Sequence, residues 1–160
     1  KNFREEELFD TQKQLENASI ETVIASSQKG DIKGQFGRNA QAQMLLGDII
    51  VDDYDAVIFI GGVGATEYFS DKTAWKIARQ AVEKDKVLAA ICIAPAILAN
   101  AGVLDGINAT SFQSERARLK EAGAKYTSGA VERDGLIITA IGPEASVRFG
   151  QVIAEAIKQP

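Results

Sequence analysis

The amino-acid sequence predicts a doubly wound α/β sandwich, and three observations carry that expectation. Two short runs, Ala56–Ile60 (Ala-Val-Ile-Phe-Ile) and Val87–Ile91 (Val-Leu-Ala-Ala-Ile), are apolar at every position. A strand with no polar face must be covered on both sides, the situation of a parallel sheet between helical layers. Longer amphipathic stretches alternate with these runs, as crossover helices require. The run Ala56–Ile60 is followed directly by Gly61-Gly62, where a strand must turn towards the next helix. One domain spanning 1–160 is expected, since this length can bury a proper core and no linker, repeat or low-complexity segment divides it.

In chain order, Glu5–Asn17 reads as a helix with Leu8 and Leu15 on one face, and Glu21–Ser26 as a continuous, β-branched strand. Gly30, Gly34 and Gly37 punctuate a turn-rich stretch able to hold a small hairpin. After the strand Ala56–Ile60, a helix is expected over Thr73–Lys84, with Trp75, Ile77, Ala78 and Val82 available for packing. The strand Val87–Ile91 leads to a helix from Ala94 to Asn100, closed by Gly102, with Pro95 in its first turn where a missing N–H is harmless. A short strand near Ala109 and a helix over Ser114–Ala122 follow. Strands at Ala130–Glu132 and Leu136–Ala140 are joined by the hairpin signal Arg133-Asp134-Gly135, and a helix over Glu144–Lys158 comes last. The strand Glu21–Ser26 needs a parallel neighbour, yet the chain opens on a helix. A first strand is therefore expected to precede residue 1 and to be absent from these residues.

Composition removes several function classes. A net charge of −4 with no basic stripe argues against binding nucleic acid or an anionic membrane. No apolar run approaches the ~18 residues of a membrane span. A single cysteine makes no internal disulfide, so a reducing, cytoplasmic setting is expected. The triplets Asn17-Ala-Ser19 and Asn108-Ala-Thr110 are then chance matches to a glycosylation signal. The chain has no histidine. No Ser-His-Asp or Cys-His pair and no histidine metal site can form within it, and neither a metal nor a cofactor is expected.

Three places could carry chemistry. Ala90-Ile91-Cys92-Ile93-Ala94 sets small residues two before and two after the thiol, the spacing of a nucleophile elbow at the carboxyl edge of a sheet. Free N–H groups and the dipole of the following helix would there favour thiolate over thiol. The same pattern also suits a buried cysteine packing as a small hydrophobe. Gly61-Gly62-Val63-Gly64-Ala65 lets backbone approach a ligand and point N–H groups at an anion or oxyanion, or is simply a tight turn. It lacks the third glycine of a dinucleotide fingerprint and the Lys-Ser/Thr of a phosphate loop. Glu5-Glu6-Glu7 complements the dipole of the first helix; three in a row point in three directions, so at least one can face inward. An inward carboxylate near Cys92 could share a proton with it, best if partly protonated, because a carboxylate charge raises a thiol pKa.

Several spaced motifs together resemble the ThiJ/PfpI (DJ-one) superfamily. They are Tyr54-Asp-Ala-Val-Ile-Phe-Ile-Gly-Gly-Val-Gly-Ala65, Val87-Leu-Ala-Ala-Ile-Cys-Ile-Ala-Pro95, Ala101-Gly-Val-Leu-Asp-Gly106, Tyr126-Thr-Ser128, Val131-Glu-Arg-Asp-Gly-Leu-Ile-Ile-Thr139, Gly142-Pro143 and Phe3-Arg-Glu-Glu-Glu-Leu8. The resemblance covers nearly the whole chain. It implies a flavodoxin-like, mostly parallel sheet with helices on both faces, and a strand just before the acidic segment. It also implies a homodimer or larger homo-oligomer, with Cys92 as the reactive elbow cysteine and Glu7 as its hydrogen-bonding glutamate. Gly62 and the backbone of Ile93 match the oxyanion-hole donors, and Gly61, Phe112 and Ile141 would line the pocket. The departures are as informative. The peptidase-like branch has histidine where this chain has Ile93; another branch has a nearby histidine where Phe112 stands; and an arginine often found before Gly-Pro is Ile141 here.

These residues order the expected functions. The first is an enzyme acting on small reactive carbonyls, glyoxalase- or deglycase-like, through a Cys92–Glu7 pair. The second is a redox sensor or chaperone-like stress protein using a low-pKa Cys92. A cysteine peptidase or amidase is disfavoured, because acylation needs a base that this chain lacks. An interaction module in which the elbow merely persists is the remaining alternative. With Ile93, Ala94, Phe112 and Ile141 around the thiol, the pocket is expected to be apolar and its carbonyl substrate likewise.

Overall fold

The computed structural model describes residues 1–160. Helices α1 (Glu5–Asn17), α2 (Lys72–Glu83), α3 (Pro95–Asn100), α4 (Arg116–Glu121) and α5 (Ser146–Lys158) alternate with ten short strands. These are β1 (Ala25–Ser26), β2 (Gly30–Lys33), β3 (Asn39–Ala42), β4 (Met44–Leu45), β5 (Ala56–Phe59), β6 (Val87–Ile91), β7 (Asn108–Ala109), β8 (Lys125–Tyr126), β9 (Val131–Asp134) and β10 (Ile137–Ala140). The central sheet runs β5-β6-β10-β9, parallel except for the last pairing, so the α/β expectation holds with an antiparallel edge.

The wholly apolar β6 is buried at all five positions, and its alternation supplies two cores. Leu88 and Ala90 pack with Ile77, Ala78, Ile97, Leu98 and Leu119 of α2, α3 and α4. Val87, Ala89 and Ile91 pack on the other face with Leu15 of α1 and Phe149, Val152 and Ile153 of α5. Helix α1 lies close on α5, since a Cβ at Gly150 would stand 3.1 Å from the Thr11 Cα. Helix α2 starts at Asp71, whose side chain accepts from the N–H groups of Thr73 and Ala74 at its N-terminus.

Several boundaries shift for local reasons. The expected strand Glu21–Ser26 forms a ladder only at Ala25–Ser26, and its parallel neighbour is β4, a strand not foreseen. A cavity of about 220 Å³ has both Thr22–Ser26 and Ala56–Ile60 of the β5 segment among its lining residues. The expected helix Ser114–Ala122 opens as a 3₁₀ turn, Gln113–Glu115, before the α-helical Arg116–Glu121. The last helix likewise opens with a 3₁₀ turn, Pro143–Ala145. The hairpin turn falls at Gly135-Leu136, because Asp134 still pairs with Ile137. On α2 the buried residues are Ala74, Ile77, Ala78 and Ala81, and Val82 is largely exposed. The hairpin foreseen around Gly30–Gly37 is β2–β3, and its tip proves important to the site.

Candidate active site

Strand β6 ends at Ile91, and Cys92 adopts φ 65°, a left-handed conformation unusual for a residue with a side chain. The corner is held from both sides. Cys92 N–H donates to the Ala140 carbonyl at 2.9 Å, and Phe112 N–H donates to the Cys92 carbonyl at 2.7 Å. Ala90 and Ala94 are fully buried, which is why the elbow takes small residues there. The thiol is half-buried, and the N–H groups of Gly62 and Ile93 hydrogen-bond towards it.

Glu7 arrives from the other side of the chain. Residues 1–4 run between the β2–β3 hairpin and the turn after β5. Asn2 N–H donates to the Lys33 carbonyl, Arg4 N–H to Gly61 at 3.0 Å, and Gly64 N–H to Asn2 at 3.0 Å. That double anchoring puts the first turn of α1 against Cys92. Gly61 has to be glycine, since a Cβ there would stand 2.7 Å from the Cys92 Cβ and collide with the Glu7 carboxylate. Gly62, at φ 96°, lies against the backbone of Asn2–Arg4.

The three glutamates take three different settings. Glu5 is buried and its Oε1 accepts from Phe36 N–H at 2.7 Å and Arg38 N–H at 3.3 Å, clamping the hairpin tip. Glu6 faces outward and pairs with Arg4 Nε at 2.7 Å. Glu7 is completely buried, and neither of its oxygens has a partner of full hydrogen-bond geometry. The groups that face it are the Cys92 thiol and the Gly61 N–H. Burial raises the Glu7 carboxyl from 4.5 to about 7, against the downward pull of these two groups. Burial likewise pushes the Cys92 thiol up to about 12, helped by the Glu7 charge and opposed by the Gly62 N–H. The expectation of a thiolate favoured by a helix dipole is therefore corrected. Helix α3 starts at Pro95 and is only six residues long, and burial of the thiol, followed by the Glu7 charge, outweighs the downward pull of the Gly62 and Ile93 N–H groups.

The remaining expected residues fall around this pair. Phe112 is half exposed and joined to Cys92 through the backbone; Ile141 packs in the same apolar cluster as Cys92. Ala94 is fully buried, behind the site rather than on its surface. Two residues went unforeseen. Arg4 carries a positive charge that acts on both Glu7 and Cys92, so the mouth is not uniformly apolar. Gln35, on the hairpin tip, accepts from Val63 N–H at 3.0 Å through its side chain, next to Gly62. The hairpin's folding brings Gln35 here and the backbone bond to Gly61 brings Arg4, and neither has a spacing signal in the sequence. The walls of the β1–β5 cavity include Gly61 and Gly64 but neither Cys92 nor Glu7.

Residues 1–156 match the DJ-1/PfpI family. The chain belongs to that family. Among DJ-1/PfpI relatives, it is 35% identical over 162 residues to an uncharacterized protein of Methanocaldococcus jannaschii, covering 99% of this chain and 79% of that one. It is 32% identical over 133 residues to the deglycase PfpI of Pyrococcus furiosus, covering 83% of this chain and 80% of the relative. The crystal structure of a ThiJ/PfpI domain protein from Brachyspira murdochii matches with a TM-score of 0.97 at 28% identity, over 99% of this chain and 92% of that one. No helix of this DJ-1/PfpI chain is long and apolar enough to cross a membrane.

Proposed function

We propose that this DJ-1/PfpI protein is a cysteine-dependent enzyme acting on small reactive carbonyl compounds, with Cys92 as nucleophile and Glu7 as the proton carrier. The supporting observation is the fully buried Glu7 carboxyl, with no full hydrogen bond to either oxygen, facing Cys92 across Gly61. A carboxyl near 7 is balanced between its two forms at neutral pH, which is where a general base and acid works best. The thiol, at about 12, is protonated there and needs such a base.

As the sulfur attacks, Glu7 takes the thiol proton. The S–C bond forms, the carbonyl π bond opens, and the negative oxygen meets the N–H groups of Gly62 and Ile93. Glu7 then returns the proton to that oxygen, giving a hemithioacetal with no oxidant or reductant required. For a 2-oxo aldehyde, Glu7 next carries the C–H proton of the carbinol carbon to the neighbouring carbonyl carbon, while the carbinol O–H proton passes to that carbonyl's oxygen; the first carbon becomes the thioester carbonyl and the second bears the hydroxyl. The resulting thioester is released by water as a 2-hydroxy acid. The deglycase relative in Pyrococcus furiosus is consistent with carbonyl chemistry at such a site.

The raised thiol pKa argues against the low-pKa redox sensor, whose sensitivity depends on standing thiolate. The lack of histidine argues against a peptidase. Methylglyoxal consumption by the purified protein tests the proposal: Cys92→Ser is expected to reduce it to the uncatalysed background, and full retention would overturn it.

A further inference from the structure

Arg4 is not explained by the chemistry above. Its backbone is bonded to Gly61, one residue from the Gly62 amide that faces the thiol. Its side chain is fixed twice: Nε–H is held by Glu6 at 2.7 Å, and the guanidinium lies 4.8 Å from the centre of the Phe36 ring. An arginine carries five N–H donors. Glu6 takes only the one on Nε, and the Nη hydrogens have no protein acceptor. A guanidinium anchored at one edge, stacked on an aromatic face and open at the other edge is prearranged for a second carboxylate. The hairpin tip that carries Phe36 is itself pinned by Glu5 and by the Gln35–Val63 bond. Of the arginines, Arg79 and Arg133 are bonded to backbone carbonyls, Arg118 and Arg148 to glutamates, and Arg38 and Arg116 stack on aromatic rings elsewhere.

We infer that Arg4 sets the substrate preference of the Cys92 site, its open guanidinium edge receiving carbonyl electrophiles that carry a carboxylate within a few bonds of the reacting carbon. Arg4 is rooted beside the site, its N–H bonded to the Gly61 carbonyl next to the Gly62 amide that faces the thiol, and its charge acts on both Glu7 and Cys92, so a carboxylate close to the reacting carbon would come under that charge. The inference rests on Cys92 being the reacting atom. Carboxylate-bearing 2-oxo aldehydes are then better substrates than neutral ones of the same size.

Two alkylating probes of equal chemistry and different charge test this without any turnover. Iodoacetate is anionic and iodoacetamide neutral; both transfer a two-carbon unit to the Cys92 sulfur and release iodide. Second-order rate constants at one fixed alkaline pH, read from the mass of the Cys92 peptide, give the ratio of anionic to neutral reaction. In Arg4→Gln the ratio is expected to fall about fivefold, the worth of one close charge in a water-like setting. Arg4→Lys should lie between, keeping the charge and losing the fork. Because Arg4→Gln could fail to fold, the unaltered protein is also titrated with salt, which should drive its ratio down towards that of a free cysteine peptide. An unchanged ratio in Arg4→Gln, or a salt-independent one in the unaltered protein, overturns the inference. If the ratio behaves as expected while no carbonyl is consumed, Arg4 stands and the proposed reaction falls. Carbonyl consumption with an unmoved ratio gives the reverse.

Discussion

Glu5 and Glu7 stand two residues apart on one helix, both buried, and the protein uses them in opposite ways. Around Glu5 the chain supplies two backbone N–H donors, and the carboxylate becomes a clamp for the hairpin tip. Around Glu7 it turns only the Gly61 N–H towards the carboxyl, short of a full hydrogen bond, leaving a group that faces a thiol and sits near 7. Burial alone therefore does not fix the role. A carboxylate with one oxygen held by two amides clamps structure, whereas one with neither oxygen fully hydrogen-bonded remains free to exchange a proton.

The largest expected effect comes from separating the Glu7 region while leaving the Glu5 region intact. In Gly61→Ala the new methyl would have to displace the Glu7 carboxyl, the Cys92 Cβ and the Ile91 carbonyl together. Misplacement by about 1 Å at a reacting centre costs about a hundredfold in rate. Methylglyoxal consumption by Gly61→Ala is expected to fall by that much, with amide exchange at Phe36 and Arg38 unchanged. Loss of protection at both places would show that the two regions form one unit.

Next in size is the removal of the Glu7 titration. A carboxyl raised from 4.5 to about 7 in the folded protein contributes stability that is fully present below 4.5 and lost as pH rises through about 7. The difference of roughly 2.5 pKa units corresponds to about 3 kcal/mol. Glu7→Gln does not titrate, so its stability relative to the parent should rise across that window by up to this amount, read from denaturant unfolding at successive pH values. Its thiol should also titrate below about 12, because the Glu7 charge that helps raise it is gone. Stability curves that stay parallel would mean that Glu7 is not the group titrating there.

The contrast between the two glutamates was only half legible in the sequence. Wholly apolar runs announced β5 and β6, and the 3.6-residue pattern placed α1 at Glu5–Asn17 as observed. The elbow could be read from Ala90 and Ala94, whose smallness is a local requirement of a tight corner. That at least one glutamate would face inward followed from helix geometry; which ones, and that Glu5 would be covered, depended on the hairpin folding over it. The two-residue strands β4 and β8 carry no periodicity of their own and exist because a neighbour pairs with them. Arg4 was invisible for the same reason, since its stacking partner Phe36 lies at a hairpin tip. The upward shift of Cys92 needed three-dimensional burial, which no spacing reports.

The smallest effect should come from Glu5, and it sharpens the comparison most. Glu5→Gln keeps an oxygen where the Phe36 and Arg38 N–H groups can still donate, and removes only the charge behind those bonds. Charge-assisted hydrogen bonds contribute about 1.5–3 kcal/mol and neutral ones about 0.5–1.5, so a loss of roughly 1–2 kcal/mol is expected. Faster amide exchange should be confined to the Gly34–Arg38 tip, and the pH profile of Cys92 alkylation should stay where the parent's lies. A profile that moved as in Glu7→Gln would show that Glu5 belongs to the proton-carrying pair. If only the hairpin loosens, the clamp and the acid are separable, and what separates them is the pair of backbone N–H groups that Glu5 has and Glu7 lacks.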